Sequence, residues 1–193
     1  DFGVAKSSVS AWVLDVVLDS AGIAKLRKHN KLRAVTAGLA HKRIAEARVA
    51  VVVKEAAEEW IKLKQNPFFM LGVGLYMGEG AKRTPVLGFS NSEQGIMRLW
   101  LCWCRYFLGD VPITARLVVH TNAQKHVAVK YWSDLLHKYS VRLAGVDAYK
   151  SSASGNRLPI NRLPYGTIHV QQGVGSRYNH AKMMEWIRLA KEI

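Results

Sequence analysis

Apolar positions along the chain change their spacing several times, and each change marks an expected element. Ile96, Leu99, Trp103 and Phe107 recur every three to four residues, which predicts a helix with those side chains in the core. Ala128, Trp132, Leu135 and Tyr139 repeat that pattern across residues 124 to 139, and "SRYNHAKMMEWIRLAKEI" (176 to 193) forms another amphipathic helix. Elsewhere the period drops to two, as expected of strands with one buried face. "ITARLVV" (113 to 119) sets Leu117 and Val119 against Arg116 and His120, with Thr114 on the outer side. "GTIHVQQ" (166 to 172) sets Ile168 and Val170 inward and Thr167, His169 and Gln171 outward. "VLGFS" (86 to 90) is a shorter strand, and Ser90 with Glu93 three residues on predicts a capping box that opens the next helix. "GDVP" (109 to 112) is a turn, and Asn66-Pro67 marks the start of a further helix, because proline suits a first turn. A Ser, Gly and Asn loop around 151 to 156 precedes the doublet "NRLPI" and "NRLPY". These elements predict an α+β fold, with helices on one face of a largely antiparallel sheet.

The stretch before Pro67 is different. Residues 20 to 66 contain no proline and are rich in Ala, Lys, Arg and Val, so one or two helices are expected there. This segment carries eleven Lys or Arg against four Glu, about half the excess of a chain whose 28 basic and 14 acidic residues leave it at +14, with a pI near 10.0. Ahead of it, "DFGVAKSSVSAWV" places Gly3, Val4, Val9 and Trp12 at the spacing of the second half of a helix-turn-helix, with Val9 and Trp12 on its buried side. Lys6, Ser7, Ser8 and Ser10 would then face DNA. The alternative is an ordinary short amphipathic helix, and the motif's first helix is absent from this sequence. Three regions are therefore expected: a partial helix-turn-helix over 1–19, a basic helical linker over 20–66, and a core domain over 67–193.

With 193 residues the chain can bury one substantial core, and a hydrophobic content of 49% marks it as folded. Its charge favours a polyanionic partner, nucleic acid foremost, over a basic surface with no partner. The apolar run Pro67 to Gly78 is too short to span a bilayer, which takes about 20 residues, and no signal peptide is visible. Cys102 and Cys104 lie two apart on an expected helix, so they suit neither a disulfide nor a shared metal. They read as packing residues of a reduced, cytoplasmic protein. The chain opens on Asp1 rather than Met, which leads to the expectation that residues precede it.

The outward residues Thr114, Arg116, His120, Thr167, His169 and Gln171 are of the kinds that reach phosphates and base edges, although a solvent-facing sheet would also be polar. Arg157 and Arg162, in the doublet, are a phosphate clamp or part of a proline-stiffened turn. Phosphodiester hydrolysis commonly uses a divalent metal held by carboxylates. From residue 67 onward the acids are few, and most have a structural explanation. Glu93 caps, Asp110 sits in a turn, and Asp134, Glu185 and Glu192 lie on helix faces beside basic residues. Asp147 precedes Lys150 at the wrong spacing for a nuclease D/E-x-K motif. Glu79 stands apart, closing "PFFMLGVGLYMGEGAKR" (67 to 83). If that segment is helical, Gly74 and Gly78 stack at i and i+4, with Met70 and Ala81 near the same face. Small residues at this spacing let two helices approach closely. A twofold copy would bring two Glu79 carboxylates together above the sheet. Pairing of Glu79 with Lys82, or a capping role, is the plainer alternative.

"GLYMGEG" (74 to 80) resembles the signature of LAGLIDADG homing endonucleases, with Glu79 at the position of the metal-binding acid. The resemblance implies an αββαββα-like core with an extra helix near 124 to 139, a curved antiparallel sheet set into the DNA major groove, and Mg²⁺ at the junction of two motif helices. One motif per chain implies a homodimer on a palindromic or near-palindromic duplex, with Met70, Gly74 and Gly78 at the interface. It also implies catalytic roles for Glu79 and for Lys82 or Arg83, Arg83 otherwise contacting DNA, in a bacterial or phage protein associated with the nucleoid. This sequence departs from the signature at Gly72 and Val73, which replace its opening Leu-Ala, and at Met77, which stands where its first Asp would be. The expected function is site-specific, metal-dependent DNA cleavage. The alternatives are a non-cleaving transcription regulator on the same core or, more weakly, an RNA-splicing cofactor.

Overall fold

The computed structural model describes residues 3–14, 16–120, 123–149 and 163–192. They fall into two compact units, Asp1–Ala47 and Arg48–Ile193. In the first unit Gly3, at φ 58°, precedes the short helix α1 (Lys6–Trp12). Of the one or two helices expected over 20–66, there is one, α2 (Ser20–Leu63), whose residues fall on both sides of the unit boundary between Ala47 and Arg48. Its start is capped by the Asp19 carboxylate, which accepts the Gly22 N–H at 2.7 Å. Spacing places Val9 and Trp12 on a buried side, but they are 41% and 68% exposed. Neither belongs to the buried core cluster.

The second unit takes its first core residues from the end of α2. Ala56 and Trp60 are buried there, and the Trp186 Nε1–H donates to the Ala56 carbonyl at 3.0 Å. Helix α3 (Pro67–Glu79) begins where Asn66 Oδ1 accepts the N–H groups of Phe68 and Phe69, at 2.9 and 3.1 Å. Proline fits that first turn because its missing N–H has no intrahelical partner to lose. The remaining elements are β1 (Gly88–Asn91), α4 (Gln94–Leu108), β2 (Ile113–His120), α5 (Lys125–Lys138), β3 (Arg142–Tyr149), β4 (Thr167–Gln172) and α6 (Ser176–Ala190).

The α+β class holds, and the sheet is mixed rather than largely antiparallel. Its order is β1-β4-β2-β3. β4 pairs antiparallel with both β1 and β2, while β3 lies parallel to β2. Helix α5 supplies the crossover that a parallel pair needs, so the "extra" helix near 124 to 139 is what makes the third pairing possible. The double strand expected between the motif helix and α4 is one strand among the described residues, supplemented by an isolated bridge from Gly80 to Phe89. The expected capping box is also absent. Ser90 lies within β1, and Glu93 takes the N-cap position without a side-chain bond, while Asn91 Oδ1 accepts the Glu93 N–H at 2.9 Å.

Helices cover one sheet face, where Ala115, Leu117, Val119, Ile168 and Val170 meet the aromatic core. α4 faces both the sheet and α3, so it buries a wider arc than one stripe. Met97, Trp100, Leu101, Trp103 and Cys104 lie deepest, whereas the expected Ile96, Leu99 and Phe107 are only half-buried. Cys102 is exposed and Cys104 buried, both as free thiols. Among the described residues no helix is long and apolar enough to cross a membrane.

Helix α3 packs so closely on α4 that a Cβ at Gly72 would lie 2.2 Å from Trp103 Nε1, inside the ring. At Gly74 and Gly78 a Cβ would meet nothing within 4 Å. These glycines therefore answer to different constraints. Gly72→Ala is expected to destabilise the fold by about 1–3 kcal/mol through overpacking. Gly74→Ala is expected to stabilise it by about 0.5–1 kcal/mol by removing a helix-interior glycine. Urea unfolding of both variants, at a concentration too low for self-association, gives the two opposite signs.

Candidate nucleic-acid interface

The sheet's second face is built from residues that register places side by side. Ser90 pairs with His169, His169 with Arg116, and Arg116 with Gly145, forming one row across all four strands. Flanking rows carry Gln171, Thr114 and Arg142 on one side and Thr167, Val118 and Asp147 on the other, with His120 beside Tyr149 at the end. Thr114, Arg116, His120, Thr167, His169 and Gln171 thus share one face, as their alternation predicts. Their neighbours Ala115, Leu117, Ile168 and Val170 are buried on the other. None of these six is buried.

Several of these side chains are held. The Ser90 hydroxyl and His169 Nδ1 are 2.7 Å apart. Burial lowers the His169 pKa below its ordinary value, against a smaller opposing effect of a hydrogen bond to the Gln171 side chain. Arg116 Nη1 donates to Asp147 Oδ2 at 2.7 Å, both half-exposed, so this ion pair orients the guanidinium more than it stabilises the fold. The His120 ring stands edge-on to Tyr149, with centroids 5.5 Å apart.

Glu79 is the last residue of α3. Beyond it the helix breaks: Gly80 is extended and bridges Phe89, and the Ala81 N–H donates to the Gly88 carbonyl at 2.9 Å. Ala81 therefore leaves the helix face that it was expected to share with Met70. The Tyr76 hydroxyl donates to the Ala81 carbonyl at 2.6 Å, and burial pushes that phenol up to about 12, so it remains a donor. Glu79 thus directly precedes the Gly80 bridge to β1. The Glu79 carboxylate is exposed and makes no hydrogen bond or ion pair among the described residues. The expected alternative, a pairing with Lys82, does not form, because Lys82 Nζ donates instead to the Gly80 carbonyl at 3.2 Å. Arg83 is exposed close by in the chain.

No family model, curated protein or solved structure matches the chain. The LAGLIDADG resemblance therefore stands on residues 74 to 80 and the element order alone.

On α3, Gly74 and Gly78 are exposed together with Leu71, while Met70 is half-buried against the core. Lys6, Ser7, Ser8 and Ser10 belong to the first unit, where Ser7 and Ser10 are exposed and Ser8 is half-buried. Arg157 and Arg162 lie outside the described residues, as does the loop before them. Three members of the polar face carry no signal in the sequence. Ser90 satisfies a capping rule instead, and Asp147 and Tyr149 belong to a strand that the pattern does not mark. Only strand pairing reveals them, since "RLAGVDAY" lacks a clean alternation.

Burial also keeps the His180 pKa below its ordinary value. For both histidines the unfolded chain binds protons more readily than the folded one, so their contribution to stability is present above pH about 6.5 and is lost as pH falls below it. Unfolding free energy is expected to drop between pH 7 and pH 5. His169→Gln should flatten part of that slope, and the ring's NMR titration should have a midpoint below 6.5.

Proposed function

We propose that the chain binds duplex DNA on the open sheet face as a homodimer joined through α3, and cuts it with metal assistance at a paired Glu79 site. The observation that carries this reading is Glu79 itself, a carboxylate at a helix C-terminus with no partner among the described residues. The helix dipole disfavours a negative charge at that end, so a nearby cation would be favoured there. Support for the partner comes from the +14 charge and from a polar face whose arginine and amide side chains match groove and phosphate chemistry. Support for the dimer comes from Gly74 and Gly78. Each costs helix stability of about 1 kcal/mol, yet neither is needed by a neighbour within the chain, so a second backbone gives them a purpose. The face they share with Leu71 carries no charge, so two copies can meet there without repulsion.

Mg²⁺ keeps several waters and takes one or two carboxylates together with phosphate oxygens. Among the described residues no group of three His, Cys, Asp or Glu could hold a metal within one chain. Two Glu79 carboxylates and the DNA phosphate would complete the donor set, and the ion would supply charge neutralisation and an activated water. Lys82 and Arg83 follow Glu79 closely and would face the phosphate. A DNA partner also implies a cytoplasmic, nucleoid-associated location. The single carboxylate per chain favours a second reading, a DNA-binding regulator that does not cut.

The test selects bound duplexes from a random library and incubates them with Mg²⁺. Glu79→Gln is expected to keep binding and to lose cleavage by about 100-fold or more, the loss of several kcal/mol of charge stabilisation. Binding without cutting in any divalent metal selects the regulator. Gly74→Leu, at a position open to solvent within its own chain, should halve the mass measured by sedimentation; an unchanged mass removes the α3 interface. Replacing Lys25, Lys28 and Arg33 together with alanine should reduce the salt slope of binding by roughly one per lost phosphate contact.

A further inference from the structure

We propose that Ser90 is a phosphodiester-directed nucleophile, with His169 as its base and Arg116 as its electrostatic partner, giving the sheet face a phosphoryl-transfer activity that needs no metal. The identification of the phosphodiester as nucleic acid rests on the DNA-binding reading of this face. The three residues come from three adjacent strands, β1, β4 and β2, and occupy one row, with successive positions about 4.8 Å apart. Ser90 Oγ and His169 Nδ1 are 2.7 Å apart, within the reach of a nucleophile–base pair.

The surroundings are shaped for this pair. The ring is half-buried and burial lowers its pKa, which favours an Nδ1 able to accept the hydroxyl proton, and Gln171 lies two residues on along β4, on the same face. Gly88 leaves the ring its space, because a Cβ there would lie 3.2 Å from His169 Cε1. Arg116, directly across from His169, spends Nη1 on Asp147. Its Nη2 and Nε have no partner among the described residues and are available to non-bridging phosphate oxygens.

The step balances without a co-reactant other than water. Ser90 Oγ attacks phosphorus as its proton passes to His169 Nδ1, and a phosphoserine diester forms while the P–O bond to the leaving group breaks. The imidazolium returns its proton to the departing alkoxide. Water, deprotonated by the same nitrogen, then attacks the phosphoserine phosphorus; the P–Oγ bond breaks and the imidazolium returns its proton to Ser90 Oγ, or the released hydroxyl reverses the transfer.

The experiment uses the full chain in EDTA with two probes, bis(4-nitrophenyl) phosphate and a random-sequence duplex. Expected are a burst of 4-nitrophenolate approaching one equivalent per chain, and a covalent adduct that peptide mass spectrometry maps to Ser90. Ser90→Ala should lose burst and adduct with an unchanged melting curve, and Ser90→Cys should retain an adduct at the thiol. His169→Gln should slow the burst by about 100-fold or more. Absence of burst and adduct, an adduct elsewhere, turnover unchanged in Ser90→Ala, or a requirement for added divalent metal each overturns the proposal. The small diester needs no DNA recognition, so failure to bind the duplex with the burst intact counts against the DNA reading alone.

Discussion

The close approach of Gly72 to the Trp103 ring is the constraint on which the second unit depends. A side chain at residue 72 would occupy the indole, so the absence of one lets α3 lie directly on α4. The contact is tied by a hydrogen bond, since Trp103 Nε1 donates to the Phe69 carbonyl at 3.1 Å. Around it Phe69 meets Trp60, Trp103, Phe107 and Trp186, and Trp100 stacks between Phe89 and Trp103. One aromatic cluster therefore joins the end of α2, α3, α4, β1 and α6. Large rigid rings bury much apolar area for little rotamer entropy, and their offset and edge-on geometries fix relative positions rather than merely excluding water.

That cluster fixes the position of the α3 end and of β1. With α3 fixed, Tyr76 reaches past the helix end to the Ala81 carbonyl, and Gly80 and Ala81 are drawn against β1. Glu79 ends the helix one residue before the Gly80 bridge to β1, while another side of α3 presents Gly74 and Gly78 to open space. One short helix thus has a face that the fold requires, a face that the fold does not use, and an exposed acid at its end. The two proposed cutting chemistries, a paired Glu79 metal site and a Ser90–His169 transfer, are separable by their metal requirement.

Much of this architecture is legible in the residues alone, and the features that are not share a cause. Strong periodic signals hold: the buried stripe of Ala128, Trp132 and Leu135, the alternation of β2 and β4, and the Asn66-Pro67 start of α3. Ser90 followed by Glu93 satisfies a capping rule, but β1 runs through Ser90 and bonds it to a strand 79 residues away. The parallel placement of β3 escapes because Arg142–Tyr149 is mostly exposed along an edge, and a strand without a buried face leaves little alternation to read. Val9 and Trp12 keep their helical spacing yet are not buried within their unit.

The sequence by itself determined composition-level and local properties: the excess of positive charge, the α+β class, which sides of β2 and β4 are polar, and the isolation of Glu79 among few acids. These depend on residue type and near neighbours, for which free energies are largely local. Tertiary structure alone decided strand order, the Ser90–His169–Arg116 row, the Arg116–Asp147 pair and the separation of Gly72 from Gly74 and Gly78 in purpose. Each of those depends on contacts between residues far apart in the chain, and a glycine in the sequence does not reveal whether the space beside it is filled by an indole or left open.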